Sequence, residues 1–331
     1  MGDLMTTPKS MKQAISTSIR STLLELGSAT KAELSEALDI SFPTISKFLG
    51  QMGKEGEVLE LGQDDSSGGR RAKRYAYNPE YSLGLAVFLE KSATHYALFN
   101  CAGKVKEQGT EASVLTGNSI ELLEALITGC LEKHPKISSL SIGVPGAINN
   151  GRVIYIPDYG QLQDFDLKTH LEKRFSMPTA VENDMNAAVL GYHRHQGMSA
   201  EQSLVYIYLG QNGPGAGIMV NGDVVRGSTF FSGEISLIPQ YDQANFWQAL
   251  EQKNRNDALG RMVASISAIL NPHQIIFSQE DISQSELKEI TEASSQFIPS
   301  EHLPELISSD WKQDYLHGLK SLGLRLMLNP N

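Results

Sequence analysis

The chain has 331 residues, 40% of them hydrophobic and 20% charged, with a formal net charge of −10. That composition supports packed cores and excludes wholesale disorder, and the length suits two or three ordinary domains. No apolar run approaches the ~18–20 residues that cross a bilayer, residues 1–18 lack the apolar stretch of a secretory signal, and Cys101 and Cys130 are too few for a disulfide framework, so the expectation is a cytoplasmic protein with reduced thiols and no membrane partner.

Apolar residues Ile15, Ile19, Leu23 and Leu26 recur at spacings of three and four, which predicts a helix over 11–26 with Gly27 as its stop. Thr30 with Glu33 is a capping-box signature and opens a second helix. A third begins with Ser41 as N-cap and Pro43 in its first turn, where a missing N–H costs little. Ile45, Phe48, Leu49 and Met52 form its apolar face. The opposite face offers Ser41, Thr44, Ser46, Lys47 and Gln51, side chains able to donate to phosphates and base edges. Strand-like segments at 58–61 and 74–77 then flank a loop rich in glycine and serine. Residues 1–80 hold 10 basic and 11 acidic residues, and four of those cations, Arg70, Arg71, Lys73 and Arg74, fall within five positions. Screening limits the reach of the acidic remainder to about 8–10 Å, so a local basic patch is compatible with DNA. The expected module is an N-terminal winged helix-turn-helix over 1–80, mainly α. A three-helix bundle used for protein contact has the same pattern.

From Asn78-Pro79-Glu80 onward the pattern becomes α/β. Strands are expected at 83–89, 94–99 and 140–144, and a helix at 119–131. Asn150-Gly151 reads as a hairpin turn with a return strand at 152–156. A helix at 166–175 and a strand at 179–181 lead to another helix near Asp184. The alternation then restarts: a strand at 204–209, a Gly-rich stretch at 210–217, the Asn221-Gly222 turn, helix over most of 244–270, a strand at 274–277, and helices at 283–295 and 311–327. Two halves of similar order predict a duplicated, two-lobed domain over 81–331, with the lobe boundary near 190–200 and a cleft between the lobes.

Several motifs now stand in a fixed order: Ser67-Gly68-Gly69-Arg70-Arg71, Ser141-Ile142-Gly143-Val144-Pro145-Gly146, Glu182-Asn183-Asp184-Met185-Asn186-Ala187-Ala188, Gly213-Pro214-Gly215-Ala216-Gly217, Asn221-Gly222, and Gly233-Glu234-Ile235. Together they resemble the ROK family (repressors, open reading frames and kinases), on its xylose- and N-acetylglucosamine-repressor branch. The resemblance implies an actin-like, two-lobed sugar-kinase-type fold, a dimer or tetramer, and a cleft that holds a sugar. It assigns Asn183, Asp184 and Glu234 to sugar hydroxyls. Read locally, Asn183 and Asp184 are also good helix N-caps, and Glu234 is an ordinary turn acid.

Departures from the family pattern decide the chemistry. Its kinases open the first lobe with Asp-x-Gly-Gly-Thr, which holds nucleotide phosphate and metal. Here the matching stretch is Ala86-Val87-Phe88-Leu89-Glu90, which would obstruct and repel phosphate. The family's zinc-site His is replaced by Leu237, and no cysteine follows Cys130. The expectation is therefore a DNA-binding regulator, a repressor of carbohydrate genes acting on a double-stranded operator. Its effector would be a sugar or sugar phosphate, with no cofactor, no metal and no enzymatic activity. The alternatives are a regulator with a degenerate cleft controlled by a protein partner, and a sugar kinase.

Overall fold

A computed structural model describes residues 7–63, 72–156, 159–210, 213–241, 244–251 and 255–329. The N-terminal unit comprises α1 (Pro8–Leu26), β1 (Ala29–Thr30), α2 (Lys31–Leu38), α3 (Phe42–Lys54), β2 (Val58–Gln63) and β3 (Lys73–Tyr77). The Thr30 hydroxyl accepts from the Glu33 N–H while the Glu33 carboxylate accepts from the Thr30 N–H, closing the capping box at the start of α2. Asp39, in the left-handed region at φ 52°, ends α2 and turns the chain into α3. Ser41 precedes α3, but its hydroxyl meets that of Thr44 at 2.8 Å instead of capping a backbone N–H. Ile19, Leu23, Leu34, Ile45, Leu49 and Met52 pack into one buried core. The strands form an antiparallel sheet in the order β1-β3-β2. Two-residue β1 is too short to show alternation, so the sequence carries no signal for it.

The first lobe holds β4 (Leu83–Leu89), β5 (Ala93–Asn100), β6 (Val105–Ala112), α4 (Ser119–Lys133), β7 (Ile137–Val144), β8 (Ala147–Asn149), β9 (Arg152–Tyr155), β10 (Phe165–Asp166), α5 (Leu167–Phe175) and β11 (Thr179–Asn183). Helix α6 (Asp184–His195) leads to the second lobe. That lobe holds β12 (Leu204–Tyr208), β13 (Gly215–Val220), β14 (Asp223–Val224), α7 (Phe246–Leu250), α8 (Arg255–Leu270), β15 (Gln274–Ser278), α9 (Gln284–Ser294) and β16 (Glu305–Ser309), and α10 (Trp311–Leu328) follows. The main sheets run β11-β7-β4-β5-β6 and β14-β13-β12-β15-β16. In each, an antiparallel meander lies on one side of the first strand and parallel strands add on the other. The same order occurring twice is the mark of duplication. Asn150-Gly151 and Asn221-Gly222 turn the two hairpins, all four residues having positive φ.

Helices α6 and α10 join the lobes. Residues of β4, β5, β12, β15, α6 and α10 share one core that includes Ala86, Phe88, Phe99, Tyr206, Ile276, Tyr315 and Leu319. The two helices lie unusually close because glycines face them across the contact. A Cβ on Gly191 would sit 1.8 Å from the Asp314 carbonyl oxygen, and one on Gly318 would sit 1.9 Å from that of Ala187. The far end of α10 reaches the N-terminal unit. The Leu328 carbonyl accepts from the Thr17 hydroxyl at 3.2 Å and from Arg20 Nη1 at 3.3 Å, while Arg20 Nε is bonded to the buried Glu57 carboxylate. Among the described residues no helix is long and apolar enough to cross a membrane.

Candidate functional site

The lobes enclose a cleft of about 140 Å³ whose lining includes Glu90, Tyr155, Asn183, Asp184, Tyr208, Glu234, Leu237, Trp247 and Trp311. Asn183, Asp184 and Glu234, drawn from separate elements, therefore share one cavity. Asn183 ends β11 and caps α6, its Oδ1 accepting from the Asn186 N–H at 2.9 Å. Its Nδ2 donates to the Gly146 carbonyl and to Asp184 Oδ1, each at 2.9 Å. Both amide hydrogens are thus engaged, and one carbonyl lone pair remains for a ligand. The cap falls to Asn183 and not to Asp184, which occupies the first helical position.

Asp184 Oδ1 accepts from its neighbour's backbone, Met185 N–H, at 2.8 Å. Asp184 also lines the cleft, where its carboxylate can accept from a ligand. Burial pushes the Asp184 carboxyl up to about 7, and the negative charges of Glu234 and Glu90 add to the shift. Glu234 follows Gly233, whose φ of 96° and 1.9 Å approach of a built Cβ to the Ala216 carbonyl leave room for glycine alone. Burial raises the Glu234 carboxyl as well, so it is not an ordinary exposed turn acid. Glu90, at the end of β4, lies 2.8 Å from His95 Nε2, whose Nδ1 lies 2.9 Å from the Thr110 hydroxyl.

Beside the cleft, the space between the lobes is filled by a run of rings. Phe88 meets Tyr315 at 5.0 Å between centroids, Tyr315 meets Trp311 at 5.2 Å, and Trp311 stacks on Tyr208 at 4.1 Å with planes 8° apart. Gly143 makes room for this run, since a Cβ there would lie 2.0 Å from the Tyr315 hydroxyl. The Gly-rich stretch runs into a strand. Gly215 and Gly217 are strand residues of β13, and a Cβ on Gly217 would meet the Met185 carbonyl at 2.1 Å. Close helix packing explains that glycine. Leu237 is exposed on the cleft wall, and no group of three or more metal-ligating side chains occurs among the described residues.

Two features of the cleft carry no sequence signal of a site. Tyr155, Tyr208, Trp247 and Trp311 read locally as ordinary strand and helix residues, and only the fold converges them. Glu182 of the first lobe pairs with Arg226 of the second, and its other oxygen accepts from the Asn183 N–H and Asn186 Nδ2, each at 3.1 Å. This pair ties the lobes together directly behind the cleft acids.

On the N-terminal unit, Ser41, Lys47 and Gln51 are exposed along α3, while Thr44 and Ser46 are half-buried. Gln51 Nε2 donates to Glu55 at 2.9 Å. Lys73 is exposed and paired with Glu60 at 2.8 Å. Arg74 differs from the sequence reading. Its guanidinium donates to Glu33 at 2.9 Å and to the Ser28 carbonyl at 3.0 Å, which makes it a brace between β3 and α2. Arg70 and Arg71 lie outside the described residues.

Residues 93–246 match the ROK family model. A putative xylose repressor from Caldicellulosiruptor sp. (strain Rt8B.4) is 32% identical over 235 residues, which cover 68% of this chain and 58% of that protein. The chain thus matches less than two thirds of that relative's length. A crystal structure of a ROK family transcriptional regulator, a homolog of the E. coli MLC protein, superposes with a TM-score of 0.73 over 96% of this chain and 99% of its own, at 18% identity. A ROK family glucokinase from Streptomyces griseus, in complex with glucose and AMPPNP, superposes with a TM-score of 0.60 over 74% of this chain and 100% of its own, also at 18% identity. The two-lobed fold is therefore the actin-like one shared by regulators and sugar kinases, and these matches place the chain in the ROK family, through the domain at residues 93–246.

Proposed function

We propose that the chain is a sugar-responsive, DNA-binding transcriptional repressor. The observation that carries this reading is the direct bond between a three-helix head and a two-lobed body whose cleft brings Asn183, Asp184 and Glu234 together. In this reading the head is a winged helix-turn-helix. Helix α3 enters the major groove through Ser41, Thr44, Ser46, Lys47 and Gln51, and the segment between β2 and β3 is the wing, carrying Arg70 and Arg71 to the flanking minor groove beside Lys73. The operator is an inverted repeat, bound by a symmetric oligomer. Sugar hydroxyls donate to Asp184 and Glu234, and the free carbonyl lone pair of Asn183 accepts from a third.

The route from cleft to head runs along α10. Trp311 at its start lines the cleft, and Leu328 at its end holds α1. Eighteen helical residues span about 27 Å as a rigid rod. A ligand that favours one degree of lobe closure thereby favours one setting of the head, provided it binds the two states with different affinity. Kinase activity is not part of this reading. What supports this is that Glu90 and the rings of Phe88, Tyr315, Trp311 and Tyr208 crowd the space between the lobes with bulk and negative charge, whereas phosphate transfer needs open, positive space.

The xylose-repressor relative supports a sugar effector. The exposed Leu237 favours a second reading, in which a protein partner covers the cleft mouth. Selection of bound sequences from a random duplex pool, followed by titration of sugars onto the complex, tests the first reading. An inverted repeat whose affinity changes with a sugar is the expected result; a repeat indifferent to every sugar tried moves the assignment to the second reading.

A further inference from the structure

We infer that the cleft selects a saccharide bearing no phosphate or carboxylate group, a claim that rests on the cleft being the effector site proposed above. Three carboxylates reach the same cavity from three elements: Glu90 from the end of β4, Asp184 from the start of α6, and Glu234 from the segment after β14. They sense one another, since the charges of Glu234 and Glu90 both oppose ionisation of Asp184. Against them stands a single basic residue among the described lining residues, Lys91, which is exposed at the mouth. No arginine or histidine lines the cavity among those residues. Gln211 and Asn212, next to the lining residue Gly213, are uncharged.

Anions are also bound by backbone amides at helix starts. Each of the three α-helices that contribute lining residues at their first turns has at least one such amide already engaged. At α6, the Asn186 N–H goes to Asn183 and the Met185 N–H to Asp184. At α7, which carries Trp247, Asn245 accepts from the Gln248 N–H in a full capping box. At α10, which carries Trp311, Asp310 accepts from the Gln313 N–H. A phosphate ester entering here would meet no arginine fork, and above about pH 7, where Asp184 is ionised, it would bring its charge against three carboxylates in a partly desolvated site.

An uncharged sugar meets the reverse. Its hydroxyls donate to the ionised carboxylates, and its apolar ring face lies on the exposed Trp247. An amine substituent would gain further from the acids.

The test is calorimetric titration of the full-length protein with matched pairs: glucose and glucose 6-phosphate, N-acetylglucosamine and its 6-phosphate, glucosamine and its 6-phosphate. In at least one pair the free sugar should bind tenfold or more tightly than its ester. The gap should narrow severalfold in Glu90→Gln, and in Glu234→Gln as an independent check. An ester that binds as tightly as its parent sugar, or more tightly, overturns the inference and leaves the effector reading standing. Binding by neither member of any pair overturns the effector reading and the inference together.

Discussion

The carboxyl of Asp184 offers a quantitative test, because the chain holds a destabilising charge where the proposed ligand binds. Burial moves this group from an ordinary value of 3.8 up to about 7. The folded state therefore binds a proton that the unfolded state has already released, throughout the interval between those two values. Stability consequently falls as pH rises through that interval and levels off above about 7. Each unit of displacement corresponds to about 1.4 kcal/mol, so the ceiling is about 4 kcal/mol. Partial opening of the carboxylate onto the cleft screens this, and about 1–3 kcal/mol is the expected cost at pH 8. Asp184→Asn removes the charge and keeps the geometry, because an amide oxygen still accepts from the Met185 N–H and Asn183 Nδ2. For a body of this size the variant should melt roughly 2–6 °C higher than the parent at pH 8, with the difference shrinking toward zero as pH falls toward about 4. The same variant should bind the effector roughly tenfold to a hundredfold more weakly, since hydrogen bonds to charged acceptors are worth about 1.5–3 kcal/mol. Parallel thermal melts from pH 5 to pH 8 give the first number, and calorimetry gives the second. A melting difference independent of pH, or a variant less stable at pH 8, would refute the claim that Asp184 is a desolvated, mutually repelled carboxylate.

Other positions separate positioning from contact. Thr17→Val removes one of the two bonds that hold α1 on the Leu328 carbonyl; effector affinity should be unchanged, while the effector-induced change in operator affinity shrinks by about two- to tenfold in gel-shift titrations. An unaltered response would take α10 out of the coupling route. Lys47→Ala and Arg71→Ala should each lower the slope of operator affinity against salt by about one counterion. Arg74→Ala, whose cation braces β3 on α2, should leave that slope alone and lower head stability by up to about 1 kcal/mol in urea melts; a reduced slope would restore Arg74 to the DNA face. Gly191→Ala drives a methyl group into the Asp314 carbonyl across the α6–α10 contact, and should cost about 3 kcal/mol or more in chemical denaturation, unless the helices separate without penalty.

Local chemistry explains what the sequence made legible. The capping box at Thr30 and Glu33, the Asn-Gly turns at 150–151 and 221–222, and the apolar faces of α1 and α3 are each settled within a few residues, and each appears where the pattern placed it. Edge strands were less visible: β6 is a Val-Lys-Glu-Gln-Gly-Thr-Glu-Ala segment whose charges face water, so it has no apolar stripe to read. Arg74 shows the limit for single charges. Four cations in five positions look like one patch, yet β3 sends Arg74 back onto Glu33 while Lys73 stays at the surface. Only the register of Arg74 opposite Thr30 reveals that.

The cleft shows the same limit at longer range. Phe88 from the first lobe and Tyr208 from the second meet through Tyr315 and Trp311 of α10. Three of the four rings are buried, which makes this region packed contact between the lobes. The helix that supplies the central pair is also the one that ends on the head. The coupling route proposed above is therefore a packed path from the Asp184 cleft along α10 to α1, and in that proposal it is the packing of these rings that carries a change in lobe closure.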